Sequence, residues 1–221
     1  ILISNFIIVP AITYGSQLAL GAIGVTLIYG VLRFANFAYG DLMAFATMIV
    51  ILTTWYLQSI GITLGFLPTA LLALPIGILV TIGISLFFDK TVFEYYRNKK
   101  ANSVTFIVVS LGLMFVLNAI VRIIIGPGNI NFMDGHKFIM KAREFKELTG
   151  LNEGLAIKST QVITLLTTVI TCSLLFYFLN KTKTGKSMRA YSDNEDLALL
   201  SGIDPKKIIL ITWVIVSILA T

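Results

Sequence analysis

The chain has 221 residues, of which 57% are hydrophobic and 13% charged, and its mean hydropathy is +0.90. Soluble domains carry about 25% charged residues, so the composition excludes an ordinary soluble domain and indicates an all-α polytopic membrane protein. The apolar runs are continuous rather than alternating, which argues against an outer-membrane barrel, and the net charge of +6 sits in segments beside the spans rather than on a nucleic-acid surface.

The first predicted span covers Ala11 to Val31 and includes Gly15, Gly21, Gly24 and Gly30, small residues that let helices approach closely in lipid. Arg33 ends it. The polar stretch Arg33 to Asp41 follows, too polar for lipid contact and too short for a domain. A second span covers Leu42 to Gln58, with Trp55 and Tyr56 suited to a membrane interface. Gly61 to Gly65 reads as a turn. The third span covers Leu67 to Phe88, and Pro75 can kink it. Asp89 to Asn102 reads as a basic loop, and the fourth span as Ser103 to Ile125. Gly126, Pro127 and Gly128 break that span, and a polar segment, 126–158, leads to a fifth span at Ser159 to Leu179. The expectation is five full spans and the start of a sixth. The chain begins with Ile1 and stops at Thr221 inside an apolar run. It therefore reads as a piece lacking C-terminal spans, because a full span needs about 20 residues.

The segment 181–207 carries six basic and four acidic residues between two apolar runs. Ser192 and Glu195 have capping-box spacing, which predicts a short helix starting at Asp193. Leu197 and Leu200 share one face of it, and Ala198 offers a small, close-packing surface. Gly202 suits a left-handed helix end, and Asp204 followed by Pro205 starts the next helix. A mere connector needs about 2–8 residues, so this segment reads as a docking element.

Two spans separate Asp89–Asn102 from Lys181–Lys207, so the two share a side, with ten Lys or Arg in 41 residues. The opposite segment 126–158 has five in 33. The denser side is expected to be cytoplasmic, the segment 126–158 external, and the N-terminus external.

Three stretches then carry a resemblance. They are GAIGVTLIYGVLRFANFAYGDL from Gly21, FEYYRNKKANSVTFIVVSLGLMFVLN from Phe93, and TGKSMRAYSDNEDLALLSGIDPKKI from Thr184. In order and spacing they resemble the inner-membrane permease subunits of bacterial ABC transporters for branched-chain amino acids, the LivH/LivM type and closest to LivH. The third stretch is similar to that family's ATPase-contacting loop. The resemblance implies an ATPase-coupling role for Gly185, Arg189, Ala190, Ala198, Gly202 and Ile203, and Glu195, singled out by its capping-box spacing, joins them as an ATPase-coupling candidate. It implies two ATP-binding cassette subunits, a second permease subunit and a periplasmic substrate-binding protein as partners. Tyr39 departs from the pattern, standing where the family often has His. The solute implied is leucine, isoleucine or valine, with other amino acids, amides and urea as alternatives.

No G-x-x-x-x-G-K-[ST] phosphate loop occurs, so ATP hydrolysis is expected from a separate subunit and no cofactor is expected here. Asn36, Tyr39, Asp41, Ser110 and Asn118 are candidates for the translocation pathway, although Asp41 also fits a simple helix cap. Arg122 lies on the Asn118 face near a span end and suits snorkelling to the interface. His136 is the only histidine, without metal-ligand neighbours, so no metal is expected. A secondary transporter, driven by an ion gradient, would usually show paired broken helices with intramembrane acids, and only Asp41 approaches that. A channel lacks a filter-like sequence, and an intramembrane enzyme lacks H-E-x-x-H, G-x-S-x-G or paired carboxylates.

Overall fold

A computed structural model describes residues 7–63, 68–126 and 159–221, with 128, 132 and 147 between them. Apart from Gly126, Gly128, Phe132 and Glu147, the segment 126–158 and its His136 lie outside the described residues. The described residues are helical and contain no strand. Among the described residues, five helices are long and apolar enough to cross a membrane, as the composition requires of an all-α polytopic protein.

Helix α1 is Val9–Leu32. It ends at Arg33, whose left-handed backbone (φ 62°) lets its N–H bond to Tyr29 O. The chain then turns back into the bundle. Phe34 lies between Phe106 and Phe93, with ring centroids 5.0 and 5.2 Å away. Phe37 N–H donates to Ser110 Oγ at 3.1 Å, and Ala38 N–H donates to the Asn36 side-chain oxygen at 3.1 Å. Helix α2, Tyr39–Ser59, therefore starts inside the bundle, level with a residue about 10 Å along its neighbour. The expected start at Leu42 was three residues late, because the turn made by Asn36 already begins the helix.

Helix α3 is Ala70–Phe88 and continues without a break past Pro75. It passes through a π-turn at Asp89–Phe93 into α4, Glu94–Asn98. Most of the stretch read as a basic loop is thus helical; only a tight turn around Lys100 (φ 50°) separates it from α5, Ser103–Ile125. The apolar Val92 and Phe93 explain the extension, since Phe93 is fully buried against Phe34, Phe106 and Trp213. Helix α6 is Ser159–Lys181, α7 Lys183–Asp193, α8 Glu195–Leu200 and α9 Pro205–Ala220.

The core forms where α9 enters between α1 and α3, burying Ile209, Trp213, Val216 and Ala220. Burying this many side chains on a helix of 16 residues makes α9 the most enclosed element. A second cluster joins Val31, Met188, Tyr191, Ala198 and Ile208 beneath it. Truncating a fully buried side chain such as Met188 to Ala would cost about 2–5 kcal/mol.

Candidate functional site

The segment 181–207 forms two helices and two sharp turns. Thr182 caps α7 by accepting Gly185 N–H at 3.0 Å, and it bends the chain back under α6. Gly185 is required there: a Cβ would fall 2.6 Å from Leu179 Cα and overlap the Phe178 carbonyl. Arg189 ties α7 to the end of α6 by donating to Asn180 Oδ1 at 3.0 Å.

The predicted cap of the next helix needs correction. Ser192 lies in the last turn of α7, and its hydroxyl donates to Gly30 O at 2.8 Å. Asn194 caps α8 instead, accepting Leu197 N–H at 3.0 Å. An Asn side chain caps as well as Ser, so the sequence alone could not separate the two. Glu195 does not close a capping box; it accepts the Tyr191 hydroxyl at 2.7 Å. Burial and this bond raise the Tyr191 pKa, so the phenol stays a neutral donor.

Ala198 faces inward at 3% exposure, against the cluster of Val31, Met188, Tyr191 and Ile208. Its small size lets α8 sit close to α7. The outward face carries Leu197 at 61% and Leu200 at 85% exposure. Gly202 ends α8 at φ 79°, with Gly202 N–H bonded to Leu199 O and Ile203 N–H to Ala198 O. Asp204 then accepts Lys206 N–H at 3.0 Å and starts α9. Ala190 is exposed on α7 and Ile203 packs against the inner cluster.

Two links, not foreseen from the sequence, join this region to the spans. Arg33 donates to the carbonyls of Ser192 and Asp193, fastening α7 to α1. Asp89 accepts Arg97 through both carboxylate oxygens at 2.8 and 2.9 Å and also accepts Trp213 Nε1 at 2.7 Å. One turn further along, Ser85 and Ser217 hydroxyls meet at 2.6 Å. These contacts fasten α9 to α3. An Asp eight residues before an Arg gives no pairing signal under α-helical spacing; the π-turn between them creates it. A charged cleft of about 520 Å³ lies between these elements, lined in part by Asp89, Arg97, Glu195 and Lys206. The basic ends of α1, α3–α4, α6 and α9 therefore gather on one side, as the counting of spans requires.

The pathway candidates divide. Asn118 Nδ2 donates to Asp41 Oδ1 at 2.8 Å, linking α5 to the first turn of α2. Asp41 is therefore not the cap of α2, whose N-cap is Ala38 without a side-chain capping bond; it is an acid of the first turn held by Asn118. Both side chains are half-buried, with exposed Ala44 and Phe115 nearby on their helices. Asn118 lies about 10 Å from the end of α5 remote from the basic side, and about 22 Å from the other end. Asn36 and Ser110 are buried and bonded to the turn before α2. Tyr39 is separate: it is 1% exposed and packs on Gly24 of α1, and its hydroxyl has no hydrogen-bond partner among the described residues. Arg122 stays exposed in the last turn of α5.

Comparison with known proteins gives a consistent result. The family described as "Branched-chain amino acid transport system / permease component" matches residues 7–221. The chain is 25% identical over 224 residues to the high-affinity branched-chain amino acid transport system permease protein BraD of Pseudomonas aeruginosa, covering 96% of this chain and 67% of the relative. It is 24% identical over 208 residues to the permease protein LivH of Escherichia coli K12, covering 92% of this chain and 64% of the relative. LivH of Salmonella typhimurium matches to the same extent, at 24% identity. The chain thus spans about two thirds of the length of these curated relatives. No solved structure matches it. With nearly the whole chain matched, this protein belongs to the family of permease components of branched-chain amino acid transport systems.

Proposed function

We propose that the chain is a membrane-spanning permease subunit of an ATP-driven importer in a bacterial inner membrane, and that α8 is where a separate ATPase subunit docks. The observation that carries this reading is the face of α8. Leu197 and Leu200 project from the basic end of the bundle, where a polar solvent would leave them uncovered. A rigid helix with a firmly packed inner side and a bare apolar outer side fits a groove on a partner. The excess of Lys and Arg on that side supports a cytoplasmic position for it.

ATP-driven closure of two such ATPase subunits would push α8. The turn at Gly202 and the cap at Asp204 pass the push to α9, and Trp213, Asp89 and Ser217 pass it to α3. Arg33 and Ser192 pass it to α1 through α7. The spans then rock as packed bodies. Gly185, Arg189 and Ala190 belong to the bend that holds α7 under α6, behind the docking surface. ATP acts on the partner subunits in this reading, which assigns no cofactor to the chain itself.

The path for solute follows the seam between α2 and α5. A half-buried carboxylate bonded to Asn118 in the interior of α5 does not face lipid, because a charge there is costly in hydrocarbon; it faces water or another subunit. Asp41 and Asn118 line this seam, and Asn36 and Ser110 fix the turn that sets Asp41 at that depth. Tyr39 holds α1 to α2. The likeness to permeases of branched-chain amino acid systems supports branched-chain amino acids as the solute, with other amino acids, amides or urea as the alternative. The remaining partners are a second permease subunit and a periplasmic substrate-binding protein. Copurification of the full-length protein with its ATPase subunits tests the docking claim. Gly202→Leu should abolish it, while Gly15→Leu, in open space on α1, should not. Equal recovery of both complexes would refute docking through α8.

A further inference from the structure

We infer that the charged cleft between α3–α4 and α8–α9 is a jaw that closes in the ATP-driven half of the transport cycle, pairing Glu195 with Arg97 and Glu94 with Lys206 across it. The inference rests on the docking of an ATPase subunit on α8, because that contact supplies the push. The cleft holds about 520 Å³. Lys90, Glu94 and Arg97 line one wall, and Tyr191, Glu195 and Lys206 the other. Its inner end is fastened. Trp213 Nε1 donates to Asp89 at 2.7 Å, and the Ser85 and Ser217 hydroxyls meet one turn deeper. Its outer end is open: among the described residues no ion pair or side-chain hydrogen bond runs from α4 to α8 or α9.

The facing charges are complementary. The Glu94 and Lys206 side chains have no partner among the described residues. The contacts Ser85–Ser217 and Asp89–Trp213 set α3 and α9 antiparallel, and the same register carried outward puts Lys206 level with the middle of α4, within one turn of Glu94. Glu195 gives one oxygen to the Tyr191 hydroxyl, and its other oxygen accepts nothing among the described residues. Arg97 holds Asp89 through its two terminal nitrogens, and a guanidinium has further N–H donors, so it can take Glu195 without releasing Asp89. Burial and the Glu195 bond raise the Tyr191 pKa while the Arg97 charge opposes that rise, so Arg97 stands near the Tyr191–Glu195 pair. Room for the movement exists. A second cavity of about 180 Å³ lies behind Arg97, Tyr191 and Glu195. In addition, α4 joins α3 through the π-turn at Asp89–Phe93, a feature at which helices bend. Each wall carries both signs, so the closed cleft satisfies its own charges without a ligand.

The test uses the full-length permease assembled with its ATPase subunits in a cysteine-free background. Asn98→Cys and Leu210→Cys, at uncharged positions on opposite walls, are bridged with a bifunctional thiol reagent, first at rest and then after trapping with ATP and vanadate. The bridged fraction should rise about threefold or more on trapping. In transport vesicles, Glu94→Lys and Lys206→Glu should each lower the solute moved per ATP by about two- to fivefold, the worth of a partly exposed ion pair, and the two together should restore it. On the thermal midpoint at rest the same two changes should act additively, because the pair is absent there; a merely structural pair would show rescue in both measurements. An unchanged bridged fraction on trapping, or a double change that fails to restore coupling while the ATPase subunits still bind, would overturn the jaw and leave the docking surface standing. ATPase subunits that do not bind through α8 would overturn both.

Discussion

Replacing Leu197 and Leu200 together by Ala gives the sharpest expectation for the docking helix. Each change removes about three carbon groups worth about 0.8 kcal/mol apiece when buried, or about 2.4 kcal/mol per leucine. The two side chains are 61% and 85% exposed, so an ATPase groove covering them fully gains about 3 kcal/mol that Ala cannot supply. That corresponds to roughly a hundredfold weaker binding. The assay is the affinity of purified ATPase subunit for the full-length permease in detergent or nanodiscs. The thermal midpoint of the permease alone should not move, because neither leucine packs within it. Ala198→Leu makes the contrast: it is 3% exposed, so added bulk should displace α8 and lower both stability and affinity. A double variant that weakens binding by less than about threefold would refute the reasoning, since RT ln 3 is well under 1 kcal/mol.

Other expectations follow from the same geometry. Tyr39→Phe removes a buried, unpartnered hydroxyl and should leave stability unchanged or slightly raised in a thermal unfolding assay, whereas Gly24→Val should lower it by about 1–3 kcal/mol or more because its side chain meets the Tyr39 ring. Asp89→Asn weakens a charged hydrogen-bond pair worth about 1.5–3 kcal/mol and should loosen α9 from α3, which will read as ATP hydrolysis retained with less solute moved per ATP. Gly185→Val should prevent α7 from folding under α6, measured as loss of folded protein in size-exclusion chromatography. Tyr191 has a raised pKa, so the stability it contributes is present in full below the ordinary tyrosine value near 10 and is lost only as pH rises beyond that toward the folded value; Tyr191→Phe should therefore abolish an alkaline loss of stability and change nothing about pH dependence near neutrality.

The spans were legible because continuous apolar runs of near-membrane length leave one structural solution. The turn at Gly202 and the helix start at Asp204–Pro205 were legible for a similar reason: few residues suit a left-handed helix end, and few suit a first turn. Ser192 and Asn194 were not separable, since both cap well, and the tertiary bond from Ser192 to Gly30 made the choice. The extension of α3 past Asp89 was hidden because charge suggested a loop while buried Phe93 required a helix. The inward orientation of Ala198 depends on the bend at Gly185 and could not be read from α8 alone. Of the pathway candidates, the Asp41–Asn118 link joins residues far apart in the chain, which no local pattern encodes.

The most direct test of the central claim is uptake of labelled leucine into right-side-out vesicles. They would contain the full-length protein with its ATPase subunits, second permease subunit and binding protein, with and without ATP trapped inside. The account predicts uptake that requires internal ATP and is lost with Leu197→Ala and Leu200→Ala combined. Uptake that ignores ATP, follows an imposed ion gradient and survives that double change would contradict it.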